Sequence, residues 1–146
     1  RDITPTYADR DAVLSGVHLL PAVEPNTGPF AGRASCWTRP AKTEGQEMIS
    51  LSYYLALMTD TCLGLVGAKG PTIVEGPFAR NADYVAMLAA LRPDGVELAA
   101  SATGTSVGAA LLCIQGAHAP ATERIPVRDG QRLLAYASEW KAMLRQ

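Results

Sequence analysis

Between Thr43 and Val66 apolar side chains recur at alternating intervals of three and four: Met48, Leu51, Leu55, Met58, Cys62 and Leu65. That period winds them onto one helical face, widened by Tyr54 and Leu57, an apolar stripe of the kind that faces a core. Thr43 with Gln46 three residues on predicts a capping box, and Gly67, Gly70 and Pro71 end the helix. The same reasoning predicts a short helix over Tyr7 to Gly16, one from Asn81 or Asp83 through Leu91 before Pro93, and one from about Thr105 to Ile114. A last helix over Gln131 to Leu144 aligns Leu133, Ala137, Trp140 and Leu144.

Between these lie β-branched or apolar runs, Thr72 to Glu75 and Val96 to Ala100, which read as strands. Val17 to Val23 is a brief apolar stretch, and Glu24 to Lys42, rich in Pro, Gly, Thr and Asn, reads as a long turn-laden loop. Such a loop in a compact domain is often functional or packed on another domain. Helix alternating with strand predicts an α/β domain with neighbouring parallel strands, and ligands in such domains sit beyond the carboxyl ends of the strands. Two loops occupy that place, Gly76 to Asn81 and Ser101 to Ser106.

Composition narrows the classes. The 146 residues suit one domain, and 48% apolar with 18% charged is ordinary for a globular chain, not a disordered one. Thirteen basic against fourteen acidic residues, a net charge of −1, supply no broad field for nucleic acid or anionic lipid. Val107 to Ile114, among the longest continuous apolar stretches if its Gly is counted, is too short to span a bilayer. Cys36, Cys62 and Cys113 form no CxxC pair and no Cys/His cluster, so neither a disulfide framework nor a metal site is expected. Cys62 and Cys113, among apolar neighbours, read as small core residues in a reduced, cytoplasmic setting. The opening Arg-Asp-Ile-Thr-Pro, without an initiator Met, leads us to expect a part of something longer.

Candidate chemistry is sparse. In Gly76-Pro77-Phe78-Ala79-Arg80-Asn81, the glycine would let backbone approach a phosphate or base, and Asn81 suits either a helix cap or an adenine edge. Gly104-Thr105-Ser106-Val107-Gly108 matches the GxSxG nucleophile pattern. Ser106, however, falls at a helix start, and His118 precedes Asp129, the reverse of the required order, so a serine hydrolase is disfavoured. His18 reads as a buried structural residue, Trp37 and Trp140 as packing residues, and Asp9, Asp11, Asp60 and Asp83 as solvated or capping charges. Neither GxxxxGK[ST] nor GxGxxG is present.

Thr72-Ile-Val-Glu-Gly-Pro-Phe-Ala-Arg-Asn81, the helix Tyr84 to Leu91, the strand Val96-Glu-Leu98 and Thr105-Ser-Val-Gly-Ala-Ala-Leu111 together resemble the FGGY family of carbohydrate kinases. Members carry a strand, a Gly-Gly-Gly-x-x-Asn loop, a helix, a short strand and a Gly/Ala-rich helix in that order. The closing helix with Tyr136 and Trp140 is similar to their aromatic-bearing last helix. The resemblance implies that residues 1–146 are the C-terminal part of the second kinase domain, of the actin-like, ribonuclease H-like type. It implies Mg-ATP and a small sugar in a cleft shared with an N-terminal kinase portion, with Gly76, Pro77, Phe78 and Asn81 against the nucleotide. Pro77 and Phe78 depart from the glycine pattern: one lacks an N–H and the other adds a ring that can pack on adenosine. The family's catalytic Asp, in a Gly-x-x-Asp context, has no counterpart, so this chain alone is expected to be inactive and to hold no metal by itself. A homodimer stays open, and the rival reading is a non-catalytic α/β binding or assembly module.

Overall fold

The computed structural model describes residues 3–99, 108–109, 112–113 and 121–145. Its helices are α1 (Tyr7–Leu14), α2 (Glu44–Leu65), α3 (Ala82–Leu91) and α4 (Gly130–Met143). Its strands are β1 (Leu19–Leu20), β2 (Cys36–Trp37), β3 (Thr72–Val74), β4 (Val96–Ala99) and β5 (Thr122–Arg124). One-turn 3₁₀ segments lie at Gly28–Phe30 and Gly76–Arg80. The expected helix over Thr105 to Ile114 and the loop Ser101 to Ser106 fall largely outside the described residues, as do Ser106 and His118.

β3 and β4 run parallel, with Thr72 beside Val96 and Val74 beside Leu98, and α3 makes the crossover between them. That is the mixed α/β arrangement the alternating pattern predicts. β5 adds an antiparallel strand on the far side of β4, Leu98 pairing with Glu123. A three-residue Thr-Glu-Arg run carries too little pattern to announce itself as a strand. Within the long loop, β2 pairs with β1 in a two-strand antiparallel ladder.

The helix starts follow from side-chain chemistry. Thr6 and Asp9 form a reciprocal capping box on α1. Thr43 Oγ1 accepts from the Gln46 N–H at 3.1 Å, while the Gln46 amide oxygen accepts from the N–H of Lys42, one residue before the cap. Asp9 joins the two helices, because its other carboxylate oxygen accepts from Thr43 Oγ1 at 2.7 Å. Those hydrogen bonds hold the Asp9 carboxyl below its ordinary range, with Thr43 the largest influence.

The orientation of α2 corrects the sequence reading. Its core face carries Ile49, Tyr53, Tyr54, Ala56 and Leu57, which join Val13, Val85, Leu88 and Trp140 in one cluster. Of the face predicted from spacing, Tyr54 and Leu57 are buried and Leu55 and Met58 pack against the core, but the rest of the stripe turns outward. Met48, Leu51 and Leu65 are 37%, 43% and 71% exposed, Cys62 is exposed, and Leu55 and Met58 are half-buried. Each Tyr withdraws roughly 150–250 Å² from water, more than an aliphatic residue on the stripe. The serines between them cost little, since Ser50 donates to Val17 O and Ser52 to Met48 O. α2 is also long and apolar enough to cross a membrane by length and composition, a helix longer than the Val107 to Ile114 stretch considered from sequence. Its tyrosine face is committed to the core of this fold.

Other expectations also shift. All three cysteines are exposed, Cys62 and Cys113 included, and Trp37 is 40% exposed. Asp83 is buried and gripped by Arg10 at 2.6 and 3.0 Å, an interhelical clamp instead of a solvated charge. Asp60 faces the buried Arg92 at 3.6 Å and Lys141 at 3.0 Å. α4 closes the core as its pattern predicts, with Leu133, Ala137 and Trp140 buried. It is also stitched to the N-terminal segment, Tyr136 Oη donating to Val17 O at 2.9 Å and Trp140 Nε1 to Leu19 O at 2.8 Å.

Candidate functional site

β3 ends at Val74, and two residues later Gly76 takes φ +71°, a left-handed conformation that admits glycine far more easily than other residues. A Cβ there would meet nothing within 4 Å, so backbone geometry, not crowding, demands the glycine. The chain then makes a single 3₁₀ turn through Pro77, Phe78, Ala79 and Arg80. Pro77 suits the first position of that turn, with its φ already set and no N–H to leave unpaired. Phe78 is 48% exposed, its ring tilted against Tyr84 at 5.1 Å between centroids.

Asn81 closes the loop. Its Oδ1 accepts from the Tyr84 N–H at 3.0 Å, capping α3, and its Nδ2 donates to Ser52 Oγ on α2 at 3.0 Å. Tyr84 in turn shares a hydrogen bond with Thr59 of α2 at 3.2 Å. Two turns of α2 thus hold the loop and the ring beneath Phe78. Sequence reasoning missed Ser52, Thr59 and Tyr84 as supports, because their role depends on how α2 and α3 cross.

Beside the loop opens a cleft of about 360 Å³ lined by Ala79, Leu98, Ala99, Ala121, Thr122 and Glu123. It lies at the carboxyl end of β4, where an α/β sheet of this kind places its ligands. Three alanines and Leu98 make its lining largely apolar, and Thr122 and Glu123 add the polar residues. Glu97 sits one pleat away and accepts a hydrogen bond from Thr122 Oγ1. An apolar slot with a few polar groups and an exposed aromatic ring nearby suits a flat, partly polar ligand. Of the residues singled out from sequence, the structure brings Gly76, Pro77, Phe78 and Asn81 onto this one loop, and the cleft touches it through Ala79.

The residues present fit the two halves of Mg-ATP unequally. The base and sugar of a nucleotide find an aromatic face, a left-handed glycine and a cleft. For magnesium, among the described residues no three His, Cys, Asp or Glu side chains come together in a way that could hold a metal ion by protein groups alone. His18 belongs to the core, 2% exposed, stacked on Tyr136 at 4.1 Å, with Nε2 lacking any hydrogen-bond partner. Burial holds its pKa below the ordinary 6.5, with Glu139 acting weakly in the opposite direction.

None of the curated proteins matches the chain, and no solved structure does. A profile of the C-terminal domain of carbohydrate kinase FGGY matches residues 2–122, a span that contains the whole loop, α2, α3 and the parallel strand pair. The chain therefore belongs to the FGGY carbohydrate kinase family, as a C-terminal domain of that family.

Proposed function

We propose that this chain supplies one wall of the nucleotide site of an ATP-dependent kinase that phosphorylates a sugar or polyol hydroxyl. In this reading residues 1–146 are the C-terminal part of the second kinase domain, of the actin-like type. Gly76, Pro77, Phe78 and Asn81 form the loop against the nucleotide, and the base packs on the loop through Phe78. The observation that carries the reading is the left-handed Gly76 at the end of a parallel strand, leading to a capping Asn81 beside an open cleft. The parallel β3–β4 pair with its antiparallel neighbour supports the fold assignment.

Phosphoryl transfer rests on positioning and on neutralising charge. A base for the acceptor hydroxyl, the sugar pocket and the metal-bearing groups come, in this proposal, from the N-terminal kinase portion. This chain alone does not catalyse.

The test is thermal melting of the chain with and without ADP and ATP, each with magnesium. At a ligand concentration about a hundredfold above Kd, stabilisation is about 2.7 kcal/mol. That corresponds to about 2–4 °C of Tm per kcal/mol for a domain of this size. A rise with adenine nucleotides, reduced by Phe78→Ala, is expected. No rise here or in the complete kinase would sink the assignment. The rival reading, a non-catalytic assembly module, draws on Asn81, whose amide is already satisfied at both ends within the fold. It predicts no nucleotide response in either context.

A further inference from the structure

Ser52 and Thr59 stand about two turns apart on the side of α2 that meets Asn81 and α3, and each is already committed as a donor. Ser52 Oγ donates to Met48 O and Thr59 Oγ1 to Leu55 O, both at 2.8 Å. A hydroxyl has one hydrogen and two lone pairs, so what each has left to offer across the interface is an acceptor. The bond from Asn81 Nδ2 to Ser52 Oγ at 3.0 Å uses the first of these. At Thr59 the same count fixes a direction that distance alone leaves open. Tyr84 Oη donates and Thr59 Oγ1 accepts, at 3.2 Å.

The two acceptors settle the orientation of the groups packed on them. With its amide reversed, Asn81 would set its NH₂ against the Tyr84 N–H and its oxygen against the lone pairs of Ser52, losing both bonds. Tyr84 is held at two points, its N–H by Asn81 Oδ1 and its hydroxyl by Thr59, which fixes the buried ring along its length. Phe78 leans on that ring at an interplanar angle of 52° while keeping a free face. We infer that Ser52 and Thr59 are positioning residues for the nucleotide: neither touches it, and together they set the pose of the loop and of the aromatic face on which the base packs. The role rests on the nucleotide reading of the loop. It adds two residues that lie 29 and 25 positions before the groups they orient.

Titration calorimetry of the complete kinase with Mg-ADP tests it. Thr59→Val nearly keeps the shape and removes the acceptor, Tyr84→Phe removes the donor, and Ser52→Ala strands Asn81 Nδ2. Each should weaken Mg-ADP binding by roughly three- to tenfold, the size of one lost neutral hydrogen bond. Thr59→Ser should bind as the unmodified kinase does, because the acceptor returns. Thr59→Val combined with Tyr84→Phe should bind no more weakly than either single variant, since an apolar pair leaves no polar group unsatisfied. A lower Tm in Thr59→Val or Ser52→Ala with an unchanged Kd for Mg-ADP overturns the inference and leaves these hydroxyls a purely structural role. Thr59→Ser binding as weakly as Thr59→Val overturns it too, because the methyl group would then carry the effect. An unmodified kinase that does not bind Mg-ADP overturns the nucleotide reading itself, an outcome distinct from both.

Discussion

Asp9 shows how one side chain can constrain a neighbour that sequence statistics would free. A Cβ built on Gly45 would lie 2.6 Å from Asp9 Oδ2, and that oxygen is fixed by the N–H and hydroxyl of Thr6. Gly to Ala inside a helix normally stabilises by about 1 kcal/mol. Here Gly45→Ala is expected to lower Tm, and Asp9→Ala is expected to restore the usual gain when the two are combined. Urea melts of the two singles and the double check this as a cycle. At Asn81 the cap and the bond to Ser52 separate from any contact with a ligand. Asn81→Ala should cost about 1–2 kcal/mol of stability, and Asn81→Asp should recover the part due to the cap but not the donor to Ser52 Oγ. In the complete kinase the alanine variant should weaken ATP binding more than sugar binding. Equal losses would deny the loop its nucleotide role. His18 gives the pH dependence. The unfolded imidazole takes a proton at its ordinary 6.5, whereas the buried ring resists until lower pH, with desolvation outweighing Glu139 and Arg39 adding slightly to the resistance. Below 6.5 the unfolded state therefore binds more protons, and stability falls as acid is added. His18→Phe, which keeps the stack on Tyr136, should flatten that slope in denaturant melts between pH 5 and pH 7.

Among the elements, the chain's period and its punctuation were read with unequal success. Helix existence was legible because Thr43 and Asn81 cap where the sequence reading places them, and Gly67 turns left-handed where α2 must stop. The facing of α2 was not, because the helix is apolar on more than one side and periodicity cannot say which side meets α3. Two tyrosines and two satisfied serines decided it, and that decision depends on partners distant in sequence. The acids read as solvated failed for the same reason: Asp83 finds Arg10 seventy-three residues away. Arg92 is the corresponding device at the other end of α3. Its guanidinium donates to Ala68 O at 3.1 Å and Thr72 Oγ1 at 3.2 Å while facing Asp60, so it fixes the turn between α2 and β3. Arg92→Met should cost about 3 kcal/mol, since Asp60 is left with only the exposed Lys141. Arg92→Lys should recover little, because one ammonium cannot span three acceptors in a plane.

Across the whole molecule, the candidate site was half legible. The Gly76 to Asn81 loop follows from a strand, a glycine and a cap, all local signals. The cleft does not, because its walls come from β4 and from β5, whose three-residue Thr-Glu-Arg run carries too little pattern to be read as a strand. The helix that completes the fold also lies beyond the span shared with the family, since the match ends at residue 122 and α4 begins at Gly130. Yet α4 supplies the donors for Val17 O and Leu19 O, and Arg132 reaches Asp11 at 2.7 Å. During synthesis, then, the first twenty residues emerge long before their partners. At roughly 5–20 residues per second, the interval to α4 is on the order of ten seconds. For that time the carbonyls of Val17 and Leu19 go without their α4 donors, in a nascent chain that a chaperone or protease can still engage.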